Sequence, residues 1–447
     1  MKEKKLLEKI NSENATELFC ELYGKQEIHL TRGFYTSLVK GFLQIKDEKT
    51  EGELRLFSAP GRTELAGNHT DHNRGKVLAA SIQLDCIAVV QKRNDNIVFF
   101  RSAGYPDVKI NLENLSMIPA EEHTTDALIR GIAAGLTQHY GKDNFTAGGF
   151  TASVHSFVVP GSGLSSSAAI EVLICRIFDS LYGKGNLSSL KIAQISQFAE
   201  NNYFGKPCGL MDQTACATGG AVAIDFADAG CPKVRQINFD LSSAGYALCV
   251  VDTGGSHANL TPDYASVPAE MAGIAKFFGK SVLRELDKET VLKNAADLRK
   301  NLGDRALLRA LHFFDENQRV ETMTEALAEM EAAKTAEAKL SVLYSYLELV
   351  NESGDSSWKL LQNVYSPNYP DAQAISIALA LTKDFFKKHK LKGACRVHGG
   401  GFAGTIQVYL PVDVMPVYRD YIETFFGIYA VTELRIRSIG AVELFGD

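Results

Sequence analysis

At 447 residues and 48.8 kDa the chain has room for about two or three domains. It is 45% hydrophobic and 22% charged, which excludes wholesale disorder. Its 53 acidic side chains against 47 Lys and Arg, a net charge of −6, give no electrostatic reason to expect a nucleic-acid or anionic-membrane partner.

Residues 1–48 carry apolar side chains three and four apart between Lys and Glu (Leu6, Leu7, Ile10, then Leu18, Leu22), which predicts helix. The start is basic but lacks the continuous apolar core of a signal peptide. From about residue 53 the period changes: LRLFSAP, KVLAASIQLDCIAVVQ and IVFFRS read as strands divided by Gly, Asn and Asp. The second of these carries Gln83 and Asp85, and no stretch reaches the roughly 18 apolar residues that span a bilayer. Helix is expected over 124–141, strand over 150–160, and helices over Ser165–Leu181 and Leu187–Tyr203.

In the second half, ALCVVDTG (247–254) reads as a strand, followed by a long helical stretch over 267–350 broken near Gly303. Pro367 and Pro370 mark a turn, helix is expected near 371–388, GTIQVYL reads as strand, and VYRDYIETFFGIY as helix. Mixed strands and helices predict an α+β fold of two lobes, divided as 1–235 and 236–447. The eight cysteines are scattered without a C-x-x-C pair, so neither a zinc ribbon nor a disulfide scaffold is signalled; a reduced, cytoplasmic protein is expected.

Several segments carry more chemistry than a turn requires. Pro160-Gly161-Ser162-Gly163-Leu164-Ser165-Ser166-Ser167 lies between a predicted strand and a predicted helix. Its glycines let the backbone approach a ligand, and free N–H groups at a helix start suit anionic oxygens. It is neither a Walker A loop nor a dinucleotide fingerprint, and serine caps on an ordinary turn remain an alternative. Gly61 to Asn73, GRTELAGNHTDHN, clusters polar groups able to fix hydroxyls; His69, Asp71 and His72 match no common metal-ligand spacing. His398-Gly399-Gly400-Gly401-Phe402-Ala403-Gly404 permits close backbone approach, and Asp212 in GLMDQ is an acid in small apolar surroundings.

In this order the motifs resemble those of the GHMP small-molecule kinases, and within them the galactokinases. The family's G-R-V-N-L-I-G-E-H-T-D-Y-N stands here as GRTELAGNHTDHN, and its P-x-G-x-G-L-S-S-S-A as PGSGLSSSA, one residue shorter after the proline. G-I-M-D-Q stands as GLMDQ, and G-G-G-F-G-G-C as GGGFAGT. The resemblance implies a two-domain architecture with the active site between an N-terminal and a C-terminal mixed α/β lobe. It implies ATP-dependent phosphorylation of D-galactose at the C1 hydroxyl, with Mg2+ as cofactor. Matched positions imply that Gly161, Ser162, Gly163, Leu164, Ser165, Ser166 and Ser167 wrap the triphosphate and that Ser167 and Glu200 hold the metal. Asp212 and Arg62 are the implied catalytic pair, and Asn68, His69, Thr70, Asp71 and Tyr264 the implied sugar contacts. The expected partners are the sugar and ATP alone, with no nucleic acid, no membrane and a monomeric chain.

The pattern also departs from the family. Asn68 replaces a glutamate and Glu64 an asparagine, His72 a tyrosine, and Ala403 and Thr405 a glycine and a cysteine. A neutral amide at 68 would tolerate a C6 carboxylate, so a galacturonate or other C6-modified galacto-sugar 1-kinase is the alternative. A non-catalytic sensor of galactose and ATP is a further alternative, set against the retained serines, Arg62, Asp212 and Glu200.

Overall fold

Apolar residues dominate both faces of residues 54–66 and 77–90, the pattern of strands covered on two sides. In the computed structural model, which describes residues 3–159, 161–255 and 260–445, these segments are the long strands β1 (Thr50–Ala66) and β2 (Lys76–Arg93), paired antiparallel. They centre an eight-stranded sheet with β3 (Ile97–Ser102), β4 (Val108–Asn111), β5 (Phe150–Ser156), β6 (Ala221–Asp225) and β7 (Lys233–Ile237). A four-stranded antiparallel sheet follows, built from β8 (Tyr246–Asp252), β9 (Ala394–Val397), β10 (Thr405–Pro411) and β11 (Val431–Leu434). The last strand, β12 (Val442–Leu444), returns to the first sheet and pairs antiparallel with β1.

The N-terminal helices α1 (Glu3–Ile10), α2 (Glu13–Tyr23) and α3 (Ile28–Leu43) cover one face of the large sheet, meeting Leu56, Ile87 and Val89. Neighbouring Phe57, Ala88 and Val90 point the other way, as strand geometry requires. There they meet α4 (Thr125–Tyr140), α5 (Ser166–Tyr182), α6 (Ser189–Ala199) and α7 (Met211–Thr218). In the second half, α8 (Thr261–Phe277), α9 (Lys288–Lys293), α10 (Ala295–Leu302) and α11 (Asp304–Ala332) form a helical cluster. α12 (Ala336–Ser356) packs with α11 between the two sheets, and α13 (Ala374–His389) and α14 (Met415–Phe426) cover the outer face of the small sheet.

Most predicted elements appear within a few residues of their expected bounds, and three differences have physical causes. The N-terminal helix breaks at Gly24, which adopts φ +90° and caps α2. The stretch 267–350 breaks at Gly303 as expected, and also at 278–287, 294 and 333–335. Residues 61–66, beyond the predicted strand LRLFSAP, continue β1, because a register shift opposite Pro60 to Arg62, with the extra residues on β2, accommodates a residue that cannot donate to the ladder. Among the described residues no helix is long and apolar enough to cross a membrane.

A buried polar knot ties both chain ends to the large sheet. Asp85 and Arg437, each with no exposed side-chain surface, approach to 2.9 Å. Asp85 also accepts from Ser58 and, at 2.7 Å, from Tyr23, whose hydroxyl lies 2.7 Å from that of Tyr35. Arg437 further donates to the carbonyls of Ile439 and Gly440. Removing one member of a buried pair leaves the other charge uncompensated. Asp85→Ala is expected to lower the urea-unfolding free energy by about 3–5 kcal/mol. Glu443→Ala, which unpairs the partly exposed Arg55, should cost less than about 1 kcal/mol. Equal effects would contradict this account of how the chain ends are held.

Candidate active site

Arg62 lies on β1 just past the register shift with β2, and its side chain reaches α7. Its Nε and Nη2 donate to the two carboxylate oxygens of Asp212, each at 2.7 Å, a bidentate fork. Nη1 donates to the carbonyl of Gly163, and the backbone N–H of Arg62 donates to Leu164 O at 3.0 Å. Asp212 lies in the first turn of α7, where the helix dipole favours a negative charge, and accepts a further bond from the Ser165 hydroxyl. Burial pushes its carboxyl up, but the Arg62 charge and the hydrogen bonds from Arg62 and Ser165 outweigh it and hold the group below its ordinary value. The Asp212 side chain is 31% exposed and that of Arg62 only 9%, so the carboxylate is the member open to a ligand.

The predicted phosphate loop sits beside this pair; its Pro160 lies outside the described residues. Gly161 and Gly163 both take left-handed backbone, at φ +79° and +74°. A β-carbon at Gly163 would press within 3.1 Å of His398 Nδ1 and Thr405 Oγ1, so a side chain there would push the third loop away. Ser165 is also left-handed, at φ +60°, an uncommon state for a residue other than glycine. It makes no side-chain cap on α5, and its hydroxyl turns to Asp212 instead. Ser166 and Ser167 occupy the first turn of α5 and, among the described residues, have no side-chain hydrogen-bond partner. Their N–H groups open the helix, the arrangement that receives anionic oxygens.

The segment 67–71 approaches the stretch before Asp212, where Asp71 meets Gly209. His69, at φ +58°, donates from Nε2 to Gly400 O at 2.9 Å, and burial lowers its pKa to about 4, leaving it neutral. Asp71 accepts from the His72 N–H at 2.9 Å, while its Oδ2 faces Gly209 so closely that a β-carbon at 209 would collide with it. The side chains of Asn68 and Thr70 turn inward. Thr70 Oγ1 lies 2.9 and 2.7 Å from the carbonyls of Gly67 and Lys76. Asn68, 1% exposed, donates to Glu64 Oε1 at 3.0 Å and to Gly399 O, and accepts from Asn363 Nδ2 at 2.6 Å. Tyr264 donates to Gly401 O at 2.9 Å, and its ring lies where a Gly400 β-carbon would come within 2.7 Å. The glycines at 400 and 401 thus serve close packing against Tyr264 and Asn363.

Glu200 begins a π-helical turn (Glu200–Phe204) at the end of α6, a rare form that recurs at functional sites. It is 2% exposed and bonds Lys206 Nζ at 2.9 Å. Gln213 Nε2 donates to Glu200 Oε2 at 2.8 Å and to Glu171 Oε2 at 3.0 Å. Glu171, one helical turn beyond Ser167, is raised well above its ordinary value by burial and then by the Glu200 charge. Its Oε1 and that of Gln213 are buried without a partner. Hard oxygen donors with unspent acceptor capacity suit Mg2+, which takes one or two carboxylates and completes its shell with phosphate oxygens and water. Among the described residues no three His, Cys, Asp or Glu side chains form a group that could hold a metal ion by themselves.

Every residue expected at the site therefore lies at one of three adjoining stations: Arg62, Asp212 and the 161–167 loop; the 67–71 segment with Tyr264; and Glu200 beyond Ser167. Sequence reasoning missed Glu171 and Asn363, and it named His398 as the start of the third loop without giving its side chain a role. His398 links Thr63 Oγ1 and Thr405 Oγ1, each at 2.9 Å, and joins β1 to the third loop. Glu171 had a readable signal, as an acid four residues after Ser167 on an otherwise apolar helix face. Asn363 had none.

Comparison with known proteins identifies the family. The galactokinase galactose-binding signature matches residues 42–92, and the GHMP kinases N terminal domain matches residues 127–220. The galactokinase of Streptomyces coelicolor is 32% identical over 294 residues, covering 64% of this chain and 71% of that protein. That of Haemophilus influenzae is 30% identical, covering 84% of this chain and 90% of its own. The crystal structure of Lactococcus lactis galactokinase complexed with galactose superposes with a TM-score of 0.70 at 23% identity, covering 96% of this chain and 99% of its own. The mevalonate kinase of Methanococcus jannaschii shares the fold more distantly, with a TM-score of 0.56 at 13% identity over 86% of this chain and 99% of its own. With galactokinases thus matched over most of their length and both profiles on the stations described, the chain belongs to the galactokinase family of the GHMP kinases, which are phosphotransferases.

Proposed function

We propose that the protein transfers the γ-phosphoryl group of ATP to the C1 hydroxyl of D-galactose. The observation that supports this reading is the Arg62–Asp212 fork, bonded to the phosphate-type loop through Gly163 and Ser165, with Asp71 of the galactose-signature segment packed on Gly209 three residues before Asp212. In this reading the chain divides into lobes 1–235 and 236–447, with β12 crossing back, and acts as a cytoplasmic monomer. Its eight unpaired cysteines suit a reducing compartment.

The chemistry follows from positioning and charge, because phosphoryl transfer leaves little covalent work to the protein. Backbone N–H groups of Gly161 to Ser167 receive the triphosphate. His69, Asp71 and Tyr264 hold the sugar, while Asn68 and Thr70 shape the segment from within. Asp212, ionised at neutral pH, accepts the C1 hydroxyl proton as the hydroxyl oxygen attacks phosphorus. Arg62 stays protonated and faces the charge that spreads over the transferring group. Ser167 and Glu200 would hold Mg2+, with Glu171 behind them, and a bound ion would supply charge neutralisation at the nucleotide phosphates.

Nothing at position 68 favours a C6 carboxylate: the amide hydrogens of Asn68 are taken by Glu64 and Gly399, so neither is free to donate to one. A coupled ADP-release assay should therefore give kcat/KM for galactose at least about tenfold above that for galacturonate, the cost of placing a carboxylate without a donor. Equal or reversed values would overturn the assignment of the sugar.

Asp212→Asn keeps the shape and removes the basicity. It should lower kcat by about 10²–10⁴-fold. Because the Asp212 carboxyl is held low, wild-type kcat should show no acid limb above about pH 5. Near-normal turnover of the variant would exclude Asp212 as the proton acceptor.

A further inference from the structure

The segment 67–76 is gripped from outside by side chains of α11 that belong to no motif. Glu316 Oε1 accepts from the Gly67 N–H at 3.0 Å, His312 Nε2 bonds the Asn68 carbonyl at 2.9 Å, and Asn317 Oδ1 accepts from the Lys76 N–H at 2.7 Å. His312 and Glu316 have no exposed surface and stand one helical turn apart, so they present their polar ends to consecutive backbone groups. The Asn68 carbonyl has no hydrogen to give, so His312 Nε2 carries the proton; burial lowers the pKa of the ring and favours its neutral form, in which Nδ1 accepts from the Ser356 hydroxyl at 2.8 Å. Glu316 is held in turn by Ser353 at 2.7 Å and by Arg319. These contacts form a relay from α12 through α11 to the two residues that precede His69.

His69 and Asp71 depend on that grip. The chain leaves Gly67 at φ +95°, packed so tightly on Val77 that a β-carbon would lie 2.6 Å from Val77 Cα, and it turns left-handed at His69. A backbone turned this sharply keeps its course only where surrounding contacts fix it. None of the hydrogen bonds of His312, Glu316 or Asn317 reaches the 161–167 loop.

We propose that His312 and Glu316 are positioning residues for the sugar: they fix the Gly67–Asn68 backbone and so place His69 and Asp71, with no part in holding ATP. The proposal rests on the reading of 67–71 as the sugar segment. Its test compares His312→Ala, His312→Gln, Ser356→Ala and Asp71→Ala by steady-state kinetics with galactose and ATP varied in turn. His312→Ala should raise KM for galactose about tenfold and leave KM for ATP within about twofold, the size expected for a lost buried hydrogen bond. His312→Gln, whose amide can donate to the same carbonyl, should recover most of the loss. Ser356→Ala, a milder change that serves if His312→Ala does not fold, should raise KM for galactose about threefold without moving KM for ATP. Parallel changes in both KM values, or no recovery with glutamine, would overturn the proposal. Asp71→Ala separates the two levels. If it impairs galactose saturation while the His312 variants do not, only the positioning role fails; if it leaves galactose kinetics unchanged, the sugar-segment reading fails and the positioning role with it.

Discussion

The fork between Arg62 and Asp212 is the contact on which the rest of the site depends. It joins β1 to the first turn of α7, and through Ser165 and Gly163 it also fixes the loop that opens α5. Desolvating such a pair costs several kcal/mol per ion, so a contact of this kind is poor value as a stabiliser alone. Its merit is geometric. A guanidinium bonded on both edges leaves one carboxylate, partly exposed and ionised, near two ligand-type loops.

Around that contact the molecule is arranged as supports at increasing distance. His398 spans Thr63 and Thr405, so the third loop follows β1. Asn363 links Asn68 to Gly400, and His312 with Glu316 fixes the backbone at 67 and 68 from α11. Gln213, next to Asp212, spans the carboxylates of Glu200 and Glu171. Each support is a buried polar group with a specific partner, and together they bring the helices of the second half to bear on segments of the first. The knot of Asp85, Arg437, Tyr23 and Tyr35 does the same for the chain ends at the opposite face of the sheet.

Much of this was legible in the sequence, for identifiable reasons. Strands and helices announced themselves by period and by glycine and proline, and the motifs named Arg62, Asp212, the 161–167 loop and Glu200 because each is a local string. Ending the strand at Pro60 failed because a proline inside a strand looks like its end, and only the register with β2 reveals the bulge. The inward orientation of Asn68 and Thr70 was equally hidden. In a polar string every side chain looks available, and which of them turns in depends on carbonyls supplied by residues 67, 76 and 399. His312, Glu316 and Asn363 act across more than 240 residues of chain, a separation at which one sequence carries no pairing signal.

The central claim is that Arg62 and Asp212 work as one unit and not as two independent contributors. A double-mutant cycle on kcat/KM for galactose, using Arg62→Met, Asp212→Asn and the combined variant, tests it directly. The account predicts strong non-additivity, with the double variant about as impaired as the worse single variant. Losses that multiply across the two positions would show that the residues act separately, and would contradict it.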